Sequence, residues 1–258
     1  MKNKRVSIRT KCTLSTLILF TSLFFSTNAA AWGWAWRPLV SIAGGVAINS
    51  NLGYSQGFPI ANPTTDELYD YSAQQQTQAT TIYDGFIGAE WNVYPEWYLQ
   101  GGFNAYQVSS MSSTGTFLQG ADAESADNYS YNFNVLTREY MLESKLLYTL
   151  AQIYHPYVLF GMGIAYNNAY GYSTSVPENL TFTRMYQSRL SHSFSYALGL
   201  GADIDLSNNL RFGFFYRFAD AGKVELGRAT IDTTPVSGTL TQTHLYTNQI
   251  LAQLTFEY

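Results

Sequence analysis

The stretch that decides the fold is His244–Tyr258, with the sequence HLYTNQILAQLTFEY. Successive side chains of a β-strand point to opposite faces of the sheet, so residues two apart share a face. Here one face is mainly apolar, from Tyr246 through Ile250 and Leu254 to Tyr258, and the other is mainly polar. An apolar face suits contact with lipid, and an aromatic ring at its end suits the membrane interface. The pattern therefore favours a transmembrane barrel over the alternative, a soluble β-sandwich.

Residues 1–31 have the organisation of a secretory signal peptide: a basic start, an apolar centre at Leu14–Phe25, and small residues before the cleavage site. We predict cleavage near Ala31 and a mature outer-membrane β-barrel domain that spans residues 32–258. The apolar centre is shorter than a helix needs to cross a bilayer. The only cysteine, Cys12, lies in this segment, so the mature chain is predicted to have no disulfide or thiol chemistry.

The composition of the mature chain argues against two classes of protein. Five of the fourteen Lys and Arg lie in residues 1–31, which leaves nine against eighteen Asp and Glu. Such an acidic chain is a poor match for nucleic acid, so we predict no nucleic-acid partner. After the leader, no apolar run is long enough for a membrane-spanning helix. Few charges (12%) and many aromatic residues (16%) suit a barrel whose apolar half is hidden in the alternation.

Seven further stretches alternate in a similar way, so the sequence predicts an all-β fold, an eight-stranded antiparallel transmembrane β-barrel. A helix is the alternative for residues 136–151, because Leu, Glu, Lys and Met favour helices. Both faces of residues 157–166 are apolar, which leaves the lipid-facing side of that strand open. The predicted strands are residues 37–49, 80–93, 97–109, 129–150, 157–166, 191–206, 210–219 and 246–258.

The connections between these strands alternate in length. Short turns are predicted at residues 94–96, 152–156 and 207–209. Four long polar loops are predicted at residues 49–79, 110–128, 167–190 and 220–243. A chain that zigzags through an outer membrane has short periplasmic turns and long extracellular loops, whereas a compact soluble domain rarely has so many long loops. Ten strands remain an alternative, with an extra hairpin inside the long loops.

Ten charged residues fall on the predicted inner face of the barrel. Facing lipid, each Lys or Arg at the midplane would cost about 2–4 kcal/mol. Ten misplaced charges together would exceed the stability of a fold, which is about 5–15 kcal/mol. We interpret them as a structural polar network, because an eight-stranded interior is just wide enough to be filled by side chains. The alternative is a gated conduit or ion site. The residues are Asp84, Glu90, Glu139, Glu143, Lys145, Asp203, Asp205, Arg211, Arg217 and Glu257.

Two kinds of pairing are expected within this network. Glu143 and Lys145 are successive inward residues and are predicted to pair. Asp203 and Asp205 require a cation, and Arg211 and Arg217 on the next strand are the candidates.

No arrangement of residues indicates catalysis, a cofactor or a metal. His155 is predicted in a turn, and His192 and His244 at borders between loops and strands. His192 and Ser193 would lie on opposite faces of one strand, which does not bring a base to a nucleophile. No Cys/His spacing matches a metal site, and no helix follows the glycine pairs as a nucleotide loop would require. We therefore predict that the protein is not an enzyme and binds no cofactor or metal.

Three stretches carry a resemblance to a known family: the closing stretch, His155–Tyr157 followed by Gly161–Gly163, and Phe215–Lys223. In these, the mature chain resembles small bacterial outer-membrane β-barrels, which include opacity-type and OmpA-like transmembrane domains. The resemblance implies that the closing strand is the signal read by the barrel insertion machinery, although Tyr258 stands where Phe is commoner. The implied signal residues are Ile250, Ala252, Leu254, Phe256 and Tyr258.

The expected location is the outer membrane of a Gram-negative bacterium, reached through the periplasm after signal cleavage. Loops rich in Tyr, Ser and Asn provide adaptable recognition, so we expect a structural or adhesion-like role in contacts at the cell surface. The alternatives are a narrow, porin-like channel for ions or small solutes and a lipid-modifying enzyme. The expected partners are outer-membrane lipid and lipopolysaccharide, the insertion machinery, and a host or surface ligand bound by the loops.

Overall fold

The computed structural model describes residues 36–49, 52–53, 56–59, 68–74, 76–120, 127–175, 185–231, 234–235 and 238–258. The predicted signal peptide, residues 1–31, and its cleavage site lie outside these ranges. Within them, no helix is long and apolar enough to cross a bilayer. The strands are β1 (Trp36–Asn49), β2 (Gln56–Pro59), β3 (Leu68–Ala73), β4 (Gln78–Tyr94), β5 (Trp97–Gly120), β6 (Asp127–Tyr148), β7 (Tyr154–Thr174), β8 (Met185–Tyr186), β9 (Arg189–Ser207), β10 (Leu210–Asp220), β11 (Val224–Glu225), β12 (Ala229–Ile231), β13 (Thr234–Pro235), β14 (Thr241–Gln242) and β15 (Tyr246–Glu257).

Eight long antiparallel strands close into a ring, in the order β1, β4, β5, β6, β7, β9, β10 and β15. The last strand pairs with the first, and Val40 lies opposite Phe256 while Val46 lies opposite Ile250. Each long strand thus bonds to the next one along the chain, and the ring has no free edge. The predicted eight-stranded barrel is confirmed. Residues 136–151, for which a helix was the alternative, lie largely in strand β6.

Short turns join the strands at one end of the barrel, here called the turn end. Pro95 and Glu96 form the first, residues 149–153 the second, and Asn208 and Asn209 the third. The start of β1 and the end of β15 also lie at the turn end, where Leu39 pairs with Glu257. The opposite end, here called the loop end, has the longer connections.

The outer surface of the ring is an apolar belt. On β15, exposed and buried residues alternate from Ile250 to Tyr258. Apolar side chains elsewhere on the outside are as much as two-thirds exposed, as for Ile42 (66%) and Leu142 (68%). Residues 157–166 also have a defined outer side, which includes Val158 and Ile164. Exposed aromatic residues border the belt, namely Trp36, Tyr94, Trp97, Tyr154 and Tyr258 toward the turn end and Tyr83, Tyr140, Tyr166 and Tyr246 toward the loop end. This is the surface expected of a barrel surrounded by lipid.

Two of the predicted loops are in large part strand. Strand β5 continues to Gly120, β6 begins at Asp127, and β7 continues to Thr174, so the predictions of loops at 110–128 and 167–190 were too long. The reason is that a strand beyond the apolar belt is surrounded by water, so its outer face does not have to be apolar. In these extensions the outward residues are mostly Ser, Thr and Asn. The outward apolar residues that identify the membrane-spanning parts of the strands are missing.

A further hairpin lies within the first long loop. Strands β2 and β3 pair with each other, and β3 pairs with the upper part of β5, where Tyr71 lies opposite Phe117. The hairpin extends the wall at the loop end and leaves the ring at eight strands.

Candidate functional site

The charged interior is the candidate site that the sequence indicates, and the structure brings its residues together inside the ring. Asp205 is partly exposed, and the other nine have side chains with little or no contact with solvent. A side chain that lined a water-filled channel would be exposed to that water. The residues therefore form a packed polar core, which is arranged in layers from the turn end upward.

The layer nearest the turn end is organised by Arg211. Its Nη1 lies 2.6 Å from Glu90 Oε2 and 2.5 Å from Glu257 Oε1, and its Nε donates to Asp205 Oδ1 at 2.8 Å. Each carboxylate comes from a different strand, so one guanidinium ties together β4, β9, β10 and β15. The fork of donors on an Arg side chain suits such multiple contacts.

His155 belongs to the same layer, and its predicted position in a turn was wrong. It is the second residue of β7 and is only 3% exposed. Its Nε2 lies 3.0 Å from Asp205 Oδ2, and its Nδ1 lies 3.0 Å from Thr149 Oγ1. His155 thus links the turn between β6 and β7 to the Arg211 layer.

The middle layer is organised by Lys145. Its Nζ donates to Gln253 Oε1 at 3.0 Å and lies 3.8 Å from Glu143 Oε1. Gln253 in turn donates to Asp203 Oδ1 at 2.8 Å, so the amide connects the ammonium group with a second carboxylate. The ammonium group also faces three aromatic rings, those of Phe86, Tyr157 and Phe215, at 5.2–5.6 Å from their centroids.

The upper layer is organised by Arg217, which is fully buried. Its Nη1 lies 2.8 Å from Asp84 Oδ2 and 3.5 Å from Glu143 Oε2. Its Nε donates to Gln249 Oε1 at 2.6 Å, and its guanidinium carbon lies 3.9 Å from the centroid of the Tyr106 ring. Glu143 therefore contacts the cation of the middle layer, Lys145, and that of the upper layer, Arg217.

Carboxylates outnumber cations in this interior, with seven of the former and three of the latter among the ten predicted residues. Glu139 is buried, and within the described residues no cation lies close enough to form an ion pair with it. Asp203 contacts Gln253, whereas its neighbour Asp205 contacts Arg211. The predicted partners of Asp205 and Lys145 are thus in contact with them, and Asp203 has an amide where a guanidinium was expected.

Neutral amides are the part of the interior that sequence reasoning missed. Gln100 donates to Glu90 Oε2 at 2.9 Å, and Asn104 donates to Asp84 Oδ1 at 2.9 Å. Both carboxylates also contact an arginine, so these amides add a second partner to each ion pair. Of the other two amides, Gln253 supplies Asp203, which has no ion pair among the described residues, and Gln249 accepts from Arg217. The sequence did contain a signal for them. Gln249 and Gln253 share a face of β15 with the predicted inward Glu257, and Gln100 and Asn104 lie on the face of β5 that is paired with Glu90.

Above the charged layers the interior becomes apolar and aromatic. Stacked and edge-on rings fill the barrel at the loop end, as where Phe117 stacks on Tyr71 at 5.1 Å and Tyr172 meets Tyr186 edge-on at 4.9 Å. We call this group the aromatic cluster. Its members are Tyr69, Tyr71, Phe117, Tyr131, Phe133, Tyr172 and Tyr186. Most of them lie in stretches that were predicted as loops, so no core was predicted there.

The other two histidines lie apart from the charged layers. His192 is exposed on the outer face of β9, beside the Tyr166 ring at 6.5 Å. His244 precedes β15, and its Nδ1 lies 2.7 Å from Asp220 Oδ2. Among the residues that the structure describes, no group of three or more His, Cys, Asp or Glu could hold a metal ion.

No family model and no curated protein matches the chain. Similar solved structures include Neisserial surface protein A, which is 10% identical, with 88% of this chain and 100% of that chain covered and a TM-score of 0.41. OprG from Pseudomonas aeruginosa is 12% identical, with coverage of 85% and 95% and a TM-score of 0.45. The outer-membrane protease OmpT from Escherichia coli is 9% identical, with coverage of 86% and 97% and a TM-score of 0.46. The closed ring of eight strands, its apolar outer belt and its charged interior give the chain the fold of a small outer-membrane β-barrel.

Proposed function

We propose that this protein is a non-conducting barrel that holds a rigid contact surface outside the outer membrane. The observation that supports the proposal is the aromatic cluster. It lies where the strands continue past the apolar belt, and it fills the loop end with buried side chains. Phe117 is 1% exposed and Tyr71 is 0% exposed, as buried as residues in the centre of a soluble domain.

Short strands cover this core. Strand β11 pairs with β14, and β12 pairs with both β8 and β13. Leu226, Leu240 and Leu245 are buried beneath them. Binding by a preformed surface costs less conformational entropy than binding by mobile loops. An ordered loop end of this kind therefore suits a role in contact with another cell or a surface ligand.

The packed interior supports the non-conducting part of the proposal. An ion that crossed the barrel would have to displace Arg211, Lys145 and Arg217 in turn, each of which contacts at least one carboxylate. Removing such a group from a buried pair is strongly unfavourable. The alternative of a narrow channel would need a continuous aqueous path past all three layers.

Two measurements test the proposal. Refolded protein in a planar bilayer is expected to give no steady unitary currents, and such currents would overturn the non-conducting barrel. Cells that display the wild-type protein are expected to bind one or more immobilised matrix proteins or glycans in a panel. A variant with residues 112–132 replaced by a tight turn retains the lipid belt and is expected to lose that binding. Equal binding by the shortened variant would contradict a role for the loop end.

We also propose that the protein does not modify lipids, and cells that overproduce it test this. Lipid extracted from cells that overproduce it is expected to match lipid from control cells by mass spectrometry. A new lipid species that depends on the protein would instead support the lipid-modifying enzyme.

A further inference from the structure

A groove runs along the outer surface where β5, β6, β7 and β9 adjoin, with a volume of about 800 Å³. It is lined mainly by exposed apolar side chains of the lipid belt, including Phe103, Leu142, Met162 and Ile164. The groove therefore faces the bilayer, and its apolar lining suits acyl chains rather than a soluble ligand.

Arg138 is the one charged residue among those that line this groove. Its side chain is exposed on the outer face of β6, and its Nε donates to Gln107 Oε1 at 2.8 Å. No carboxylate within the described residues forms an ion pair with it, in contrast to Arg211 and Arg217. Arg138 pairs across the strands with Tyr166, a member of the aromatic border near the loop end. An unneutralised guanidinium at the membrane interface is suited to a phosphate group, which it can bind with two parallel hydrogen bonds.

Uncharged polar side chains cover the same strands above Arg138. Thr116 on β5 lies opposite Ser130 on β6, and Asn132 on β6 lies opposite Ser173 on β7. All four are exposed, and Ser173 Oγ donates to Asn132 Oδ1 at 3.0 Å. We call this face the hydroxyl–amide face. Its groups both donate and accept hydrogen bonds, as sugar hydroxyls do.

The three features follow one another along β6. Three outward residues of β6 are spaced four apart, which is about 13 Å each along a strand. They are Leu142 in the groove, Arg138, and Asn134, which is the outward residue next to Asn132 of the hydroxyl–amide face. All three point outward on the same side of the barrel. From the bilayer toward the exterior, the order is thus apolar, cationic and then neutral polar.

We infer that this side of the barrel binds one molecule of a phosphorylated glycolipid of the outer leaflet. The acyl chains lie in the groove, the phosphate contacts Arg138, and the sugar contacts the hydroxyl–amide face. An ordinary phospholipid would satisfy the first two features only. A purely apolar ligand would leave the Arg138 charge unneutralised.

Native mass spectrometry of the refolded mature protein, released from detergent with added lipid, tests this site. The probes are bisphosphorylated lipid A, lipid A stripped of both phosphates, and phosphatidylglycerol. The wild type is expected to hold one lipid A molecule and to bind it about tenfold more tightly than either other probe. The stripped lipid lacks the charge-assisted contact with Arg138, and phosphatidylglycerol lacks the sugar that contacts the hydroxyl–amide face. The Arg138→Gln variant is expected to lose about tenfold in affinity for lipid A.

Matched variants separate the site from a general effect of charge. Arg37→Gln removes the same charge from an exposed Arg at the turn end, 3.8 Å from Glu257, and is expected to bind lipid A as the wild type does. The double variant Asn132→Ala, Ser173→Ala is expected to weaken binding of lipid A and leave phosphatidylglycerol unchanged. The inference would be overturned if Arg138→Gln bound lipid A as well as the wild type, or if the stripped lipid or phosphatidylglycerol bound equally well. Heat-modifiable migration on gels checks that each variant is folded.

Discussion

The guanidinium of Arg217 on β10 lies 2.8 Å from the carboxylate of Asp84 on β4, although β15 and β1 separate these strands in the ring. The contact therefore crosses the interior of the barrel and does not run along the wall. Arg211 and Glu90 repeat the arrangement between the same two strands, nearer the turn end. Side chains that meet across the interior both fill it and hold opposite parts of the wall at a fixed separation.

The first prediction concerns the loss of a buried cation. Arg217→Met would leave Asp84 and Glu143 without their guanidinium partner in a site closed to water. Breaking a buried pair by removing one partner typically costs about 3–5 kcal/mol. We expect a decrease of that size in the free energy of unfolding, measured by urea titration of the refolded barrel in lipid vesicles with tryptophan fluorescence as the signal.

The matched control for this prediction removes the opposing charge as well. In Arg217→Met with Asp84→Asn, one of the two carboxylates that lost their guanidinium partner is removed as well. The double variant is therefore expected to regain part of the lost stability. If the two changes were simply additive, the 2.8 Å contact would not couple the residues.

The second prediction concerns the residue at which the chain leaves β10. Gly222 has a φ of 66°, and its N–H donates to Asp220 Oδ1 at 2.8 Å. A Cβ atom there would lie 2.6 Å from the Cβ of Ser193. An L-residue in this conformation is strained by about 1–2 kcal/mol even in open space. We expect Gly222→Ala to lower the free energy of unfolding by at least about 1 kcal/mol in the same titration.

Gly44 provides the comparison for Gly222→Ala. It lies on the outer face of β1, and the nearest atom to an added Cβ is the Ile82 carbonyl oxygen at 3.8 Å. We expect Gly44→Ala to change the free energy of unfolding by less than about 0.5 kcal/mol. Equal effects at the two positions would show that the conformation of Gly222 does not limit stability.

The wall of the barrel could be predicted from the sequence because the bilayer imposes a two-residue alternation on every strand that crosses it. The extensions of β5 and β7 could not be found in this way, because water and lipid place different demands on the outer face. A strand in water still buries one face, and Phe117 on β5 and Tyr172 on β7 are buried beside the exposed Thr116 and Ser173. That signal resembles a Tyr-rich loop when lipid contact is the only criterion.

Which charges lie inside could also be reasoned from the sequence, and so could two pairs of neighbours, Asp205 with Arg211 and Glu143 with Lys145. The remaining contacts could not. Asp203 and Arg217 lie on neighbouring strands and were natural partners by chain order. The ring instead brings Asp84 to Arg217 and Gln253 to Asp203. Such contacts depend on the diameter of the barrel and on the stagger of its strands, and neither follows from the alternation of residues in one strand.

The third prediction separates the aromatic cluster from the wall. Phe117→Ala would remove a ring that stacks on Tyr71 and Tyr69, at a cost typical of a large core truncation, about 3–5 kcal/mol. We expect the loss of stability to be confined to the loop end, because the eight-stranded barrel in the bilayer does not depend on the Phe117 side chain. Limited proteolysis of vesicles should show faster cleavage at the loop end, while heat-modifiable migration of the barrel stays as in the wild type.

A comparable change in the lipid belt is the control for Phe117→Ala. Phe214 is 59% exposed on the outer face, so Phe214→Ala opens no cavity in the aromatic cluster and should leave proteolysis at the loop end unchanged. If Phe117→Ala abolished the folded band altogether, the loop end and the wall would be one cooperative unit.

The last prediction concerns the proposed insertion signal, Ile250, Ala252, Leu254, Phe256 and Tyr258. Tyr258 is 62% exposed, its ring meets Phe256 edge-on at 4.7 Å, and its N–H donates to the Pro38 carbonyl oxygen at 3.0 Å. Because the backbone bond does not need the side chain, Tyr258→Ala should refold in detergent as the wild type does. In cells, where the insertion machinery would read the terminal ring, we expect the amount of folded protein in the outer membrane to fall several-fold. Leu206→Ala, a similar truncation of a 59% exposed residue at the same end, should not reduce it. Equal losses for both variants in cells would mean that the terminal ring acts as ordinary lipid-facing surface and not as a signal.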